Sequence, residues 1–369
     1  MALVQQWTVS DIQGTMGRPH VGTLHRRRSA VSRDRLRRAT PTVALFVVLA
    51  LIASACGPDE PADKPLATNP DEPADKPLAA GPRHSCMIET DGSITCWGDN
   101  TYGQADAPAG TFKAVAAGGT HSCAIEAGGS IVCWGDNTYG QTDAPAGTYT
   151  AVESAETLHT CAIASDGTLA CWGRNPYVRD YGHTDPPAGT YTAVAVGVSH
   201  NCAMASGGTL ACWGRNIQGQ TDPPPGTYTA LAVGGGDRGH SCAIASDGTL
   251  ACWGRNTRGQ TDAPPGTYTA VAVDGLHSCA IASDGTLACW GDNEYGQTDA
   301  PAGTYKDLAA GWSHNCAIKT GGSIVCWGNN LFEQTDSPAG TYEFIVAGPL
   351  YGCAIASDGA LACWGSSSF

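Results

Sequence analysis

The chain has 369 residues with a formal net charge of −14 at pH 7, and it contains 48 Gly, 22 Pro and 17 Cys. The acidic balance argues against binding to nucleic acid or to an anionic lipid surface, because both carry charge of the same sign. The abundance of Gly and Pro, without a long helical period, argues against an α-helical protein and indicates short strands separated by turns.

Residues 1–56 are predicted to be a basic N-terminal extension that ends in a signal segment. They hold eight Arg and no Lys against two acids, so residues 57–369 carry a formal charge of −20. The apolar run at 43–53 is too short to span a bilayer as a helix but suits a signal-peptide core. Ser54 and Ala55 before Cys56 resemble a bacterial lipobox, in which the cysteine is lipidated. The alternative is a signal cleaved after Ala55 that leaves Cys56 as a spare thiol.

Residues 57–76 are predicted to be a disordered tether rich in Pro, Asp and Ala. The phrase DEPADKPLA occurs at 59–67 and again at 71–79. A segment of this composition has too little apolar surface to order itself. We therefore expect an extracytoplasmic lipoprotein of the bacterial envelope, which contacts the membrane only through the lipid on Cys56.

Residues 77–369 are predicted to be one array of eight repeats with a period of about 37 residues. Every Cys after Cys56 belongs to a pair whose members are ten residues apart. The pairs are Cys86/Cys96, Cys123/Cys133, Cys161/Cys171, Cys202/Cys212, Cys242/Cys252, Cys279/Cys289, Cys316/Cys326 and Cys353/Cys363. Such regular pairing is typical of disulfides formed in an oxidising compartment.

Each repeat is predicted to contain three strands and one disulfide-linked hairpin. In the unit at 268–301, strand-like runs occupy 269–273, 278–282 and 286–290, and Ser-Asp-Gly forms a three-residue loop between the last two. This loop places Cys279 opposite Cys289, where a disulfide fits. The alternative is a metal site, because seven repeats carry a His two residues before the first Cys. That set is one ligand short of a structural zinc site, so we predict disulfides, packed histidines and no metal.

The repeats share the phrase Cys-Trp-Gly-x-Asn-x-x-Gly-Gln, which is complete at 96–104, 133–141, 212–220, 252–260 and 289–297. This phrase resembles the regulator of chromosome condensation repeat. The resemblance implies a β-propeller, an architecture shared by propeller-type β-lactamase inhibitor proteins. The family commonly has seven blades, but the eight hairpins counted here favour an all-β propeller of eight blades with one disulfide in each. The exchange-factor activity of the family founder does not suit an exported protein.

Candidate binding residues gather at one end of the predicted blades. The loop before the second strand and the loop after the third lie at the same end, and the insertions into the repeat fall in those loops. The candidates are basic or aromatic: Arg174, Arg215, Arg255, Arg179, Arg238, Arg258, Tyr177, Tyr181, Trp312 and Phe332. The pattern places four more aromatic residues on the same loops, Tyr102, Tyr139, Tyr295 and Tyr351. For the Arg residues, the alternative is solvated surface charge without a ligand.

The repeats contain no combination of nucleophile, base and orienting group, and no glycine-rich phosphate loop opens a helix. We therefore predict no enzyme and no cofactor. We expect a monomeric binding module whose partner is a protein, with an acidic protein or a glycan as candidate ligands for the Arg residues. The alternative is a structural envelope protein without a specific ligand, and an exchange-factor-like or glycan-acting role ranks below both.

Overall fold

The computed structural model describes residues 77–174, 181–234 and 239–366. All described residues belong to one unit of the chain, Pro61–Phe369. The predicted signal segment, Cys56 and the tether lie outside the described residues, as do Tyr177, Arg179 and Arg238. The described part of the chain has no helix that is long and apolar enough to cross a membrane.

Each repeat folds as one antiparallel sheet of three strands, and the described residues form eight such sheets. In chain order the strands are β1 Leu78–Ala80, β2 His84–Ile88, β3 Ile94–Gly98, β4 Phe112–Ala117, β5 His121–Glu126, β6 Ile131–Gly135, β7 Tyr149–Ser154, β8 His159–Ala164, β9 Leu169–Gly173, β10 Tyr191–Val196, β11 His200–Ala205, β12 Leu210–Gly214, β13 Tyr228–Gly234, β14 His240–Ala245, β15 Leu250–Gly254, β16 Tyr268–Asp274, β17 His277–Ala282, β18 Leu287–Gly291, β19 Tyr305–Ala310, β20 His314–Lys319, β21 Ile324–Gly328, β22 Tyr342–Ala347, β23 Tyr351–Ala356 and β24 Leu361–Gly365. We call the three strands of each sheet inner, middle and outer in chain order.

The predicted hairpin joins the middle and outer strands. In the sixth repeat Gly285 has a φ of 84°, which a glycine adopts without strain, and Asp284 accepts hydrogen bonds from the N–H and hydroxyl of Thr286. Cys279 pairs with Cys289 across the two strands, with their Cα atoms 4.1 Å apart. The loop predicted from Ser-Asp-Gly is therefore the one that sets the register of the hairpin.

All eight predicted disulfides are formed, each between a middle strand and the outer strand of the same repeat. The pairing predicted from the spacing is therefore confirmed. Because all of these cysteines are in disulfides, none of them has a thiolate that could bind a metal. The pairs are Cys86–Cys96, Cys123–Cys133, Cys161–Cys171, Cys202–Cys212, Cys242–Cys252, Cys279–Cys289, Cys316–Cys326 and Cys353–Cys363.

The two cysteines of each pair differ in burial, although the sequence pattern treats them alike. The first cysteine is completely buried in every repeat, because neighbouring sheets cover the middle strand. The second lies on the outer strand, at the edge of the sheet, and is less covered. It is half-buried at Cys96, Cys133, Cys171, Cys212, Cys252, Cys289 and Cys326, and it is exposed at Cys363 in the last repeat. The outer cysteine is thus the end of each disulfide that lies nearer to solvent.

Neighbouring sheets bury opposite faces against each other. Cys279 and Ile281 pack against Leu308 of the following repeat. On the other face, Ala280 packs against Ile244 of the preceding repeat. A three-stranded sheet would be marginally stable by itself, so this continuous core is what stabilises every blade.

The last sheet packs against the first without sharing a strand with it. Leu78 and Met87 lie in one buried cluster with Ile355. Tyr351 Oη donates a hydrogen bond to the carbonyl of Gly81 at 2.6 Å and lies 2.8 Å from Ser85 Oγ. Strands from all eight sheets line one axial cavity of about 350 Å³. The fold is therefore an eight-bladed propeller, which confirms the fold class and the blade number predicted from the hairpins.

The two ends of the propeller differ. The hairpins between middle and outer strands lie at one end, which we call the turn face. At the other end, Ala117 of an inner strand pairs with Ser122 while His121 pairs with Gly135 of the outer strand. The loops between inner and middle strands and those after outer strands therefore share this end, which we call the loop face. All predicted binding residues that the structure describes lie on the loop face.

Candidate functional site

Each outer strand is followed by a turn of fixed structure on the loop face. In the first repeat, Asn100 Nδ2 donates to Asp106 Oδ1 at 2.7 Å, and Asn100 Oδ1 accepts from the N–H of Ala105 at 2.9 Å. Gln104 Oε1 accepts from the N–H of Tyr102 at 2.8 Å. The same three bonds recur in the second, fourth, fifth, sixth and seventh repeats. The turn thus presents variable side chains on a constant backbone.

Two positions of this turn vary between repeats: a base position that is half-buried in every repeat except the third, and a tip position that is exposed in each of the six turns with these bonds. The base position directly follows the outer strand and is occupied by Asp99, Asp136, Arg174, Arg215, Arg255, Asp292, Asn329 and Ser366 in repeats one to eight. The tip position lies three residues later, two residues before Gln, and is occupied by Tyr102, Tyr139, Gln218, Arg258, Tyr295 and Phe332. In the third repeat, which has an insertion, Tyr181 holds the tip position because Gly182 and His183 follow it.

Seven large hydrophobic side chains are exposed among the described residues, and all of them lie on the loop face. They are Tyr102, Tyr139, Ile217, Tyr295, Trp312, Leu331 and Phe332. Trp312 belongs to the loop between an inner and a middle strand, and the other six belong to the turns. Tyr351, which the sequence pattern grouped with these loop aromatics, is 3% exposed at the start of β23. That interpretation was wrong, because Tyr351 occupies the place of a buried His.

The three Arg residues of the base position follow the consecutive outer strands β9, β12 and β15. Arg174 is exposed, whereas Arg215 and Arg255 are half-buried. The guanidinium of Arg215 lies 5.5 Å from the ring centre of Tyr181, and Arg255 Nε donates to Thr257 Oγ1 at 2.9 Å. The structure therefore brings these cations to one side of the loop face and already engages two of them.

The tip of one repeat faces the base of the next across the boundary between blades. Arg258 at the tip of the fifth repeat lies 3.5 Å from the carboxylate of Asp292 at the base of the sixth. Tyr181 at the tip of the third repeat contacts Arg215 at the base of the fourth. Sequence reasoning did not find this relation, because the paired residues belong to different repeats.

His183 is a further residue that sequence reasoning missed. It stands where other repeats have Gln, and its carbonyl accepts hydrogen bonds from Trp213 Nε1 at 2.8 Å and Asn201 Nδ2 at 3.0 Å. Its ring centre lies 5.6 Å from that of His159 and 6.1 Å from that of Tyr181. The only signal in the sequence is Gly182-His183 in place of Gly-Gln, and the four-residue insertion after Asn175 obscures that alignment.

Trp312 and Glu156 meet across the propeller axis at the loop face. Trp312 Nε1 in the seventh repeat donates to Glu156 Oε2 in the third repeat at 3.3 Å. These repeats stand opposite each other in a ring of eight, so the contact spans the mouth of the axial cavity. Burial raises the pKa of Glu156. Trp312 nevertheless remains 49% exposed. Its hydrogen bond to Glu156 therefore fixes an exposed aromatic side chain near the centre of the loop face.

Buried histidines link each blade to the next. The Nε2 atom of each His bonds the side chain that follows the His position of the next repeat. The pairs are His84–Ser122 at 2.6 Å, His121–Thr160 at 2.8 Å, His159–Asn201 at 3.0 Å, His200–Ser241 at 2.7 Å, His240–Ser278 at 2.7 Å and His277–Asn315 at 2.8 Å. The series stops at His314, because Gly352 offers no side chain.

These histidines are packed at the starts of the middle strands, as predicted. Burial lowers the pKa of His84 to about 4 and that of His121 to about 3, so both are neutral at physiological pH. Within 77–174, 181–234 and 239–366, no group of three or more His, Cys, Asp or Glu side chains could hold a metal ion.

The profile of the regulator of chromosome condensation (RCC1) repeat matches residues 78–104, 112–141, 191–220, 231–260, 269–297 and 305–334. The chain is an RCC1-like repeat propeller. The two blades without a match are the third, which carries the insertion, and the eighth.

Solved structures share this fold. The ectodomain of the Physcomitrella patens receptor kinase CR4 is 24% identical, with a TM-score of 0.54 over 68% of this chain and 73% of that chain. The ectodomain of the Arabidopsis thaliana receptor kinase ACR4 is 22% identical, with a TM-score of 0.55 over 70% of this chain and 96% of that chain. A structure of Kap60 bound to yeast RCC1 (Prp20) is 15% identical, with a TM-score of 0.55 over 86% and 97%. No curated protein sequence matches the chain. At these identities the similarity establishes the fold alone.

Proposed function

We propose that this RCC1-like propeller is an exported, lipid-anchored module that binds a protein partner through its loop face. The observation that carries the proposal is the location of the exposed large hydrophobic side chains, which among the described residues all lie on that face. Aromatic side chains are enriched at the energetic centres of protein interfaces. Because the turns that carry them are held by recurring hydrogen bonds, little conformational entropy is lost on binding.

Export is supported by the disulfides and by the N-terminal sequence. Eight disulfides in one chain are typical of an oxidising compartment. Two of the similar structures are ectodomains of plant receptor kinases, so the fold occurs in extracellular parts of other proteins. In this proposal, the run at 43–53 directs export and Cys56 carries the lipid.

A protein partner suits the known use of the fold. Structures of yeast Prp20 concern its binding to Gsp1p and histones and its complex with Kap60. Those partners belong to the yeast protein. They support binding of a macromolecule, rather than catalysis, as the role of the propeller described here.

The test is capture from envelope extract by immobilised residues 58–369, with captured proteins identified and then purified for direct binding. A loop-face variant with Tyr295→Ser and Phe332→Ser should lose a partner that wild type captures. The matched control is Glu343→Ser, which alters an exposed residue at the turn-face end of β22. Equal capture by all three proteins would contradict the proposed face. Absence of any specific partner would favour a structural envelope role.

A further inference from the structure

Two boundaries between blades show what the tip and base positions can bind. At the boundary between the fifth and sixth repeats, a carboxylate accepts a guanidinium, in the contact of Asp292 with Arg258 at 3.5 Å. Between the third and fourth repeats, a tyrosine ring takes a guanidinium on its face, in the contact of Tyr181 with Arg215 at 5.5 Å. In both cases the chain itself supplies the cation.

The boundary between the first and second repeats carries both kinds of cation acceptor. Tyr102 occupies the tip position and is 53% exposed. Asp136 occupies the base position, where its Oδ1 accepts from the N–H and hydroxyl of Thr138 and its Oδ2 lies 3.4 Å from Thr120 Oγ1. Among the described residues, no Lys or Arg nitrogen lies within 4.0 Å of the Asp136 carboxylate. This boundary therefore lacks the internal cation that the other two have.

The backbone at this boundary is built as in the other two. The turn of Tyr102 has the same Gln-to-N–H bond as the turn of Arg258, at 2.8 Å in each. A Cβ on Gly135 would lie 3.1 Å from the Cβ of Gln104, so the first turn packs directly against the residue before Asp136. Tyr102 and Asp136 thus stand in the relation that Arg258 and Asp292 show by contact.

Asp136 is charged at neutral pH. Burial alone would raise the pKa of Asp136, but the hydrogen bonds from Thr138 and Thr120, together with the neighbouring His121, hold that pKa below its ordinary value. The formal charge of −20 on residues 57–369 also attracts cations to the surface from a distance.

We infer that Tyr102 and Asp136 form a binding site for a cationic side chain, an arginine in preference to a lysine, on a protein partner. A planar guanidinium can stack on the tyrosine ring and donate to the carboxylate at the same time, which an ammonium does less well. That the cation belongs to a protein partner rests on the proposed function. That the site binds a cation is inferred separately, from the two contacts within the chain. It lies outside the arc of repeats three to five that carries the Arg residues of the base position, so a partner that covers both carries both signs of charge.

The experiment uses the full purified chain with its disulfides intact and a fluorescent tetra-arginine peptide as the probe. Asp136→Asn should weaken peptide binding about fivefold, as expected for loss of one ion pair with a stacking contact. The matched control is Glu294→Gln, which makes the same charge change at an exposed position of the sixth turn. It should bind the peptide as wild type does.

A second pair of variants tests the geometry. Tyr102→Arg should place the chain's own guanidinium against Asp136, as Arg258 lies against Asp292, and so block the peptide. Tyr295→Arg adds the same charge in an equivalent turn that faces Asn329, and it should bind the peptide clearly better than Tyr102→Arg does. Thermal unfolding confirms that each variant is folded, and if Tyr102→Arg is not, Asp136→Asn decides the question.

Three results would overturn the inference: no binding of tetra-arginine to wild type, equal weakening by Asp136→Asn and Glu294→Gln, or equal weakening by the two arginine variants. The last two would mean general attraction to an acidic protein. The outcome is separate from that of the proposed function. Localised peptide binding without any captured envelope protein would retain the cation site and contradict the protein-binding module.

Discussion

The seven histidines at the starts of middle strands are completely buried, and this makes the protein sensitive to acid. Burial lowers the pKa of His240 to about 3 and that of His314 to about 4, from an ordinary value of 6.5. The unfolded chain therefore binds protons below pH 6.5 that the folded chain does not bind until the pH reaches those lower values. The stability that comes from neutral histidine is fully present above pH 6.5 and is lost as the pH falls below it.

We predict that the free energy of unfolding falls steeply between pH 6.5 and pH 4.5. Each buried His contributes up to about 1.4 kcal/mol per pH unit in that window. Denaturant titrations at several pH values measure the slope. Carboxylates with a lowered pKa, such as Asp284, lose their contribution only at lower pH, through and below 3.8. A flat stability profile from pH 6.5 to pH 5, or NMR signals of these rings that titrate near pH 6.5 in the folded protein, would contradict the prediction.

Gly352 stands where the other repeats have Ser, Thr or Asn, and restoring Ser there looks favourable because His314 would gain a bonding partner. The structure predicts the opposite. A Cβ on Gly352 would lie 2.5 Å from Cζ2 of Trp364, and the indole is fixed by its bond to the carbonyl of Gln334 at 3.0 Å. Gly352→Ser should therefore lower stability, by about 1–3 kcal/mol for an overpacked core.

The control for this variant is Gly128→Ser, in a hairpin of the turn face where a Cβ would meet nothing within 4 Å. Thermal unfolding of both variants and of wild type provides the comparison. An increase in the melting temperature of Gly352→Ser would show that Trp364 moves aside at little cost.

Each hairpin is an independent element closed by its own disulfide. The double variant Cys279→Ala and Cys289→Ala should lose about 2–3 kcal/mol, the chain-entropy value for a loop of this length. Peptide mapping without reduction should find the other seven pairs unchanged, because each pair lies within one repeat. Long-range pairs in that map, or unchanged stability of the double variant, would contradict this account of the hairpin.

The strands and hairpins were predictable because their determinants are local. The Ser-Asp-Gly loop sets the register of β17 and β18, and that register places Cys279 opposite Cys289. The bonds between blades were not predictable, because His84 and Ser122 are 38 residues apart and nothing in either repeat specifies the contact. The pairing of tip and base positions was not predictable for the same reason. Tyr351 was misplaced because an aromatic residue near a loop looks the same in sequence whether it is exposed or buried.

At the scale of the whole molecule, the three Arg residues of the base position should attract an acidic partner to the loop face. Replacing Arg174, Arg215 and Arg255 with Asp, the residue that repeats one, two and six use there, should weaken partner capture several-fold and reduce its dependence on salt. Stability should fall by about 1 kcal/mol, since the contact of Arg215 with Tyr181 and the exposed bond of Arg255 to Thr257 are lost from the structure. Capture assays at two salt concentrations and thermal unfolding measure these effects.

The control for the triple variant is Arg174→Asp alone, because that side chain is exposed and its loss should leave stability unchanged. If the triple variant retains every partner with the same salt dependence, the three cations are only solvated surface charge. The binding surface would then lie among the aromatic tips and Trp312.

Closure of the propeller without a shared strand has a consequence for the order of folding. Each blade takes its three strands and its disulfide from one uninterrupted stretch of chain. Blades can therefore form and oxidise in chain order, N-terminus first, and each is stabilised when the next blade packs against it. Only the docking of Tyr351 onto Gly81 and Ser85 has to wait for the last repeat. A chain stopped after several whole repeats would form an open arc with intact disulfides, and only the final repeat would convert that arc into a ring.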